Sequence, residues 1–148
     1  MNPDGHVPDA LPHVGILLLS HGPLADALRD TVEVLEPEPS EPLGALSLAW
    51  DESPETASER LRKAIAKSDR GRGVVLLTDM FGGTPSNLSF SFLKDCQVEI
   101  ITGVNLPMLI KFVSLQRSND LKDVARKVVE QGKKNIHLVS ALLGAKNK

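Results

Sequence analysis

Residues 15–28 read GILLLSHGPLADAL. An apolar run, Ile16 to Leu19, stops at Ser20-His21-Gly22, and a helix-spaced pattern begins straight after it. Successive strand side chains point to opposite faces, so an apolar run without polar alternation marks a strand covered on both sides. The stretch therefore reads as the first strand-to-helix step of a parallel sheet. It leaves a histidine at the strand's carboxyl end.

Three further runs repeat the pattern: Gly44 to Ala49, Gly73 to Thr78 and Val98 to Thr102. Helices lie between them. Leu24, Leu28, Val32 and Leu35 share one helical face, with Pro23 at the first helical position and the proline-rich segment 36–42 as terminator. Ser53 caps a second helix that buries Ala57, Leu61, Ala64 and Ile65. A third opens at Thr84-Pro85 with Leu88 and Phe92 on one side, and a fourth covers Pro107 to Leu115. The last runs from Asp120, turns Leu121, Val124, Ala125 and Val128 inward, and stops at Gly132. NIHLV, residues 135–139, reads as a final edge strand. The fold class is α/β: a mostly parallel four-stranded sheet with helices on both faces. A leader over residues 1–13, a domain over 14–143 and a tail over 144–148 complete the organisation.

Composition narrows the function. The 148 residues carry a formal charge of −2, which gives no basic surplus for a nucleic-acid backbone. The single cysteine, Cys96, excludes an internal disulfide framework and suits a reducing compartment; it reads as a small buried apolar group. No segment has the roughly 18–20 apolar residues needed to cross a bilayer. The acidic, proline-rich start is unlike a secretory signal, so the expected location is the cytoplasm, without direct membrane insertion.

In open α/β sheets, ligands gather beyond the carboxyl ends of strands, where strand order reverses. The first strand ends on His21 and the third on Thr78-Asp79. If those strands are neighbours, both side chains face one crevice. A carboxylate that accepts the proton-bearing nitrogen of an imidazole fixes its tautomer and leaves the other nitrogen as a nucleophile. FGGTPSN, residues 81–87, suits an anion: Gly82 and Gly83 allow close backbone approach, and Thr84 opens a helix. The helix opening at Gly22-Pro23 adds a second positive end beside His21. Neither motif holds a lysine or arginine, so positive charge comes from the helix ends or from a partner.

Each of these features has a plainer reading. Asp79 serves equally to bond a turn, and the Gly82-to-Pro85 stretch serves as a helix cap. Trp50 and Phe81 read as packing groups, and His6, His13 and His137 as surface residues. Their joint occurrence is what points to phosphoryl chemistry. No metal site and no cofactor are expected. The absence of a G-x-x-x-x-G-K-[ST] loop argues against ATP as a direct donor, and the absence of a G-x-S-x-G elbow argues against a serine hydrolase.

SHGPLADAL, TDMFGGTPSN and ITGVNLPML together resemble the mannose-family EIIA domain of the bacterial phosphotransferase system, over most of the chain from about Val14. The resemblance implies that His21 is phosphorylated and that Asp79 orients its ring. It likewise implies that Thr84 belongs to the phosphate-facing loop, and it matches Ser20 to a hydroxyl residue just before the histidine; Ser20, Gly22, Gly82, Gly83 and Thr84 are the residues expected at the phosphate. It implies a sheet with the first and third strands central and a C-terminal strand exchanged across a homodimer, which NIHLV fits. It implies phospho-HPr as donor and an EIIB-type protein as acceptor on the way to an incoming sugar. A regulatory phospho-switch of a system without sugar transport, and the related phosphocarrier of dihydroxyacetone kinase, are the alternatives. FGGTPSN and GVNLPML favour the mannose type over the dihydroxyacetone-kinase one.

Overall fold

The computed structural model describes residues 11–37, 42–94, 97–115, 117–118 and 120–146. Cys96, most of the leader and part of the 36–42 segment lie outside them. Four strands, β1 (His13–His21), β2 (Gly44–Leu48), β3 (Gly71–Thr78) and β4 (Val98–Thr102), form one sheet in the order β2-β1-β3-β4. Each pairing between these strands is parallel. Among the described residues the helices are α1 (Leu24–Leu35), α2 (Pro54–Ser68), α3 (Thr84–Phe90), α4 (Leu106–Ser114), α5 (Leu121–Lys134) and α6 (Val139–Lys146).

The apolar run that opened the sequence divides between two layers. Val14, Ile16 and Leu18 meet Val32 of α1, Phe112 of α4 and Val124 of α5 on one face. Leu17 and Leu19 meet Ala57, Leu61 and Ile65 of α2 on the other. Val75 and Leu77 of β3 join the first layer, and Val74 and Leu76 the second. These side chains are nearly inaccessible to water, which is why neither central strand shows polar alternation. The chain leaves β1 toward β2 on one side and then returns to build β3 and β4 on the other. The reversal of strand order thus falls between β1 and β3, and their carboxyl ends flank a crevice.

Several local expectations shift. His13, expected in the leader and on the surface, is the half-buried first residue of β1. Pro23 caps α1 from outside it, accepting the first helical bond from Ala27 N–H at 3.0 Å. The helix is phased by Ala25, whose N–H reaches the Ser20 hydroxyl, so Ala25 and Val32 are buried while Leu24 and Leu35 remain exposed. Phe92 is buried but lies beyond α3, on the turn that follows Phe90. Gly132 does not end α5. The helix continues to Lys134, and a β-carbon at Gly132 would sit 2.3 Å from Met108 Cε, so the glycine marks a close helix crossing.

NIHLV is not a strand in the single chain. Asn135 caps α5, residues 136–138 have no regular structure, and Val139 begins α6. A strand needs a hydrogen-bonding neighbour, and among the described residues this segment pairs with neither edge strand, β2 nor β4. Ile136, Leu138 and Val139 are left exposed. Residues 144–146, expected in the tail, lie in the last turns of α6.

Candidate functional site

The β1 end is built by a switch of backbone conformation. Gly22 adopts φ +53°, the left-handed region that favours glycine, and turns the chain out of the sheet. Its N–H donates to Leu48 O at 2.8 Å, tying the end of β2 to the end of β1. Ser20 is buried and its hydroxyl is spent on this turn, donating to Gly22 O at 3.1 Å and accepting from Ala25 N–H at 2.7 Å. Asp26 N–H reaches Ser47 Oγ at 3.3 Å.

Ser20 and Gly22, both expected at the phosphate, have these groups bonded within the turn. The start of α1, expected as a second anion-facing end, has these first-turn donors bonded within the protein. Gly82, at φ +87°, is likewise committed: its N–H donates to Ser86 Oγ at 3.0 Å.

His21 and Asp79 meet as the strand order requires. One carboxylate oxygen, Oδ2, accepts both the backbone N–H of His21 at 2.9 Å and its ring Nδ1–H at 2.8 Å. The other, Oδ1, accepts Met80 N–H at 3.0 Å. Burial by itself pushes the Asp79 carboxyl up. The hydrogen bonds from the His21 backbone and ring, the ring's charge and the Met80 N–H outweigh burial and hold it below its ordinary value. An ionised carboxylate only accepts, so Nδ1 carries a proton, and in the neutral form of the ring the lone pair lies on Nε2.

Nε2 lies toward the glycine loop. A β-carbon on Gly83 would come within 2.5 Å of His21 Cε1 and 3.0 Å of Nε2, so only glycine lets the loop approach the ring this closely. Thr84, first residue of α3, lines a pocket of about 220 Å³ with His21, Leu48, Glu52 and Pro85. A larger cavity of about 460 Å³ lies at the other end of β1, around His13, Gly15 and Gly44. Size does not locate this chemistry. Among the described residues no group of three or more His, Cys, Asp or Glu side chains is placed to hold a metal, and no helix is long and apolar enough to cross a membrane.

Two residues of this pocket escaped sequence reasoning. Trp50, read as a packing group, is 80% exposed and stacks on His21, with ring centroids 5.8 Å apart and planes 21° apart. Glu52 is half-buried as a residue; one of its oxygens pairs with Arg60, and Oε2 is buried without a hydrogen-bond partner among the described residues. Both follow the carboxyl end of β2, beside β1, so the strand-end rule that found His21 reaches them when applied to the second strand. Phe81 leans on Phe90 at 5.8 Å and, with Met80, is exposed beside Asp79. The crevice thus has an apolar fringe.

The sequence matches the family model EIIA-man, described as "PTS system fructose IIA component", over residues 15–129. It is 31% identical over 131 residues to the "PTS system mannose-specific EIIAB component" of Escherichia coli (strain K12), covering 86% of this chain and 40% of that protein. The chain therefore spans well under half the length of that relative. With the "PTS system fructose-specific EIIA component" of Bacillus subtilis (strain 168) it shares 27% identity over 128 residues, covering 86% of this chain and 87% of the relative. Among solved structures, EIIA from Streptococcus agalactiae superposes with a TM-score of 0.77 at 23% identity, over 86% of this chain and 98% of that one, which speaks to the fold. A domain match spanning both strand ends and the glycine loop settles the relationship: the chain belongs to the EIIA-man family of phosphotransferase-system IIA components.

Proposed function

We propose that this protein is a histidine phosphocarrier of a sugar phosphotransferase system. His21 accepts a phosphoryl group from phospho-HPr and passes it to an EIIB-type protein serving sugar uptake. The observation that carries the reading is the 2.8 Å contact between His21 Nδ1 and Asp79 Oδ2. It pre-sets the tautomer in which Nε2 is the nucleophile.

In the forward step the Nε2 lone pair forms a bond to phosphorus while the donor's P–N bond breaks, and the electron pair returns to the donor's imidazole. The Nδ1 proton stays in place, held by Asp79 as the ring becomes positive. Gly83 leaves room beside Nε2, and the Thr84 hydroxyl, lining the same pocket, donates to a phosphoryl oxygen. The pocket lining contains no lysine or arginine, so the donor protein brings the balancing positive charge. Such transfers rest on position and charge stabilisation, and a small set of side chains suffices. The reverse sequence delivers the group to the acceptor.

The exposed apolar side chains Ile136, Leu138, Val139, Leu142 and Leu143 support a homodimer in which a second copy covers the C-terminal segment. The reading places the protein in the cytoplasm, where its phosphorylated donor is made. Incubation with phosphoenolpyruvate, enzyme I and HPr is expected to label the wild-type chain with an acid-labile phosphate and to leave His21→Ala unlabelled. Label retained by His21→Ala would refute the assignment.

A further inference from the structure

We infer that Trp50 is a positioning residue for His21, and that its indole face stabilises the positive charge the imidazole gains when Nε2 is phosphorylated. The inference rests on the phosphocarrier reading.

Trp50 is the chain's single tryptophan, and at 80% exposure it contributes little to the core. So exposed an indole has room for many orientations, yet this one lies nearly parallel to the His21 ring. Its place is braced from beneath. A β-carbon at Gly22 would meet Trp50 Cζ2 at 3.0 Å and Cε2 at 3.3 Å, so the indole rests against bare backbone. The Gly22 N–H bond to Leu48 O fixes that backbone to the end of β2, and a turn closed by Glu52 N–H on Ala49 O at 3.2 Å carries Trp50 over it. Gly22, expected at the phosphate, thus does more than turn the chain, because its missing side chain leaves space for the stack.

The chemistry gives the stack a consequence. The form of the ring that can attack has its lone pair on Nε2 and its proton on Nδ1, and so carries no charge. As the Nε2–P bond forms and the donor's P–N bond breaks, the proton remains, so the ring becomes a cation bearing an anionic phosphoryl group. Asp79 meets that cation in the ring plane at Nδ1, and the indole meets one face of it. An aromatic face attracts a cation more strongly than a neutral ring, so the stack favours the phosphorylated state over the ground state.

The test uses the full-length chain with a purified phospho-HPr donor, comparing wild type, Trp50→Ala and Trp50→Phe. Trp50→Ala is expected to lower the transfer rate at saturating donor, and the equilibrium ratio of phosphorylated to free protein, by about three- to tenfold, the size of a partly exposed cation–π contact. The donor's KM is expected to stay the same, and Trp50→Phe to recover most of the loss. Wild-type indole emission is expected to change on phosphorylation, whether by phospho-HPr or by phosphoramidate, which needs no partner; His21→Ala is expected to show no change. An unaltered rate and equilibrium in Trp50→Ala, a loss lying wholly in KM (a docking contact), or a Trp50→Phe variant no better than alanine would each overturn the inference. If phospho-HPr fails to phosphorylate the wild type while phosphoramidate at His21 still changes the emission, the phosphocarrier reading fails and the stack's response to ring charge stands.

Discussion

Asp79 meets His21 through a single oxygen, and that economy makes its replacement informative. The carboxylate accepts from both the backbone and the ring of the same residue. An amide in its place can also donate, so Asp79→Asn is expected to retain the fold while admitting the tautomer with its proton on Nε2. Phosphoryl transfer is then expected to slow by roughly 10²–10⁴, the range seen when imidazole orientation is lost elsewhere. A rate within twofold of wild type would remove the orienting role. Burial pushes the same carboxyl up, but the hydrogen bonds from His21 outweigh it and hold the group below its ordinary value in the folded chain. A depressed carboxyl lends stability that is present above its unfolded value and lost as pH falls through the folded one. The unfolding free-energy gap between wild type and Asp79→Asn is therefore expected to narrow below about pH 4. Urea titrations at several pH values measure it, and a gap independent of pH down to strong acid would contradict the linkage. Strand ends are legible from apolar runs, which is how the sequence puts His21 and Asp79 at the ends of two strands, and the structure brings the two side chains into contact. It could not assign Ser20, Gly22 or Gly82, since the partners of their hydroxyl and N–H groups depend on how two tight turns close.

The elements themselves were read from periodicity, and the discrepancies trace to contacts made from outside each element. Pattern alone allowed Leu24 to face inward. The Ser20 hydroxyl, by capturing Ala25 N–H, rotates α1 so that Ala25 does so instead. Ser20→Ala is accordingly expected to leave a buried amide unsatisfied and to cost about 1–2 kcal/mol, with transfer from phospho-HPr largely retained. Thermal melts alongside the transfer assay check this, and loss of transfer at unchanged stability would return Ser20 to the phosphate. Gly132 carries a similar lesson: it looks like a helix end, and Met108 packing from α4 makes it a crossing point within α5. NIHLV has a strand-like composition, but pairing belongs to the sheet as a whole, and among the described residues neither edge strand takes it up.

For the whole molecule, the sheet order brings β1 and β3 together and sets the site at the reversal between them, which no single motif encodes. It also leaves the C-terminal apolar residues uncovered. Sedimentation of the wild type is expected to give twice the chain mass, and Leu138→Lys with Leu142→Lys a single chain of unchanged helix content. A wild type that sediments as one chain would set the dimer aside. The central claim concerns one nitrogen, and long-range nitrogen–proton NMR on the isotope-labelled phosphoprotein reads it directly. The phosphoryl group is expected on Nε2 of His21, with a proton on Nδ1. A phosphoryl group on Nδ1, or on any other residue, would contradict that claim.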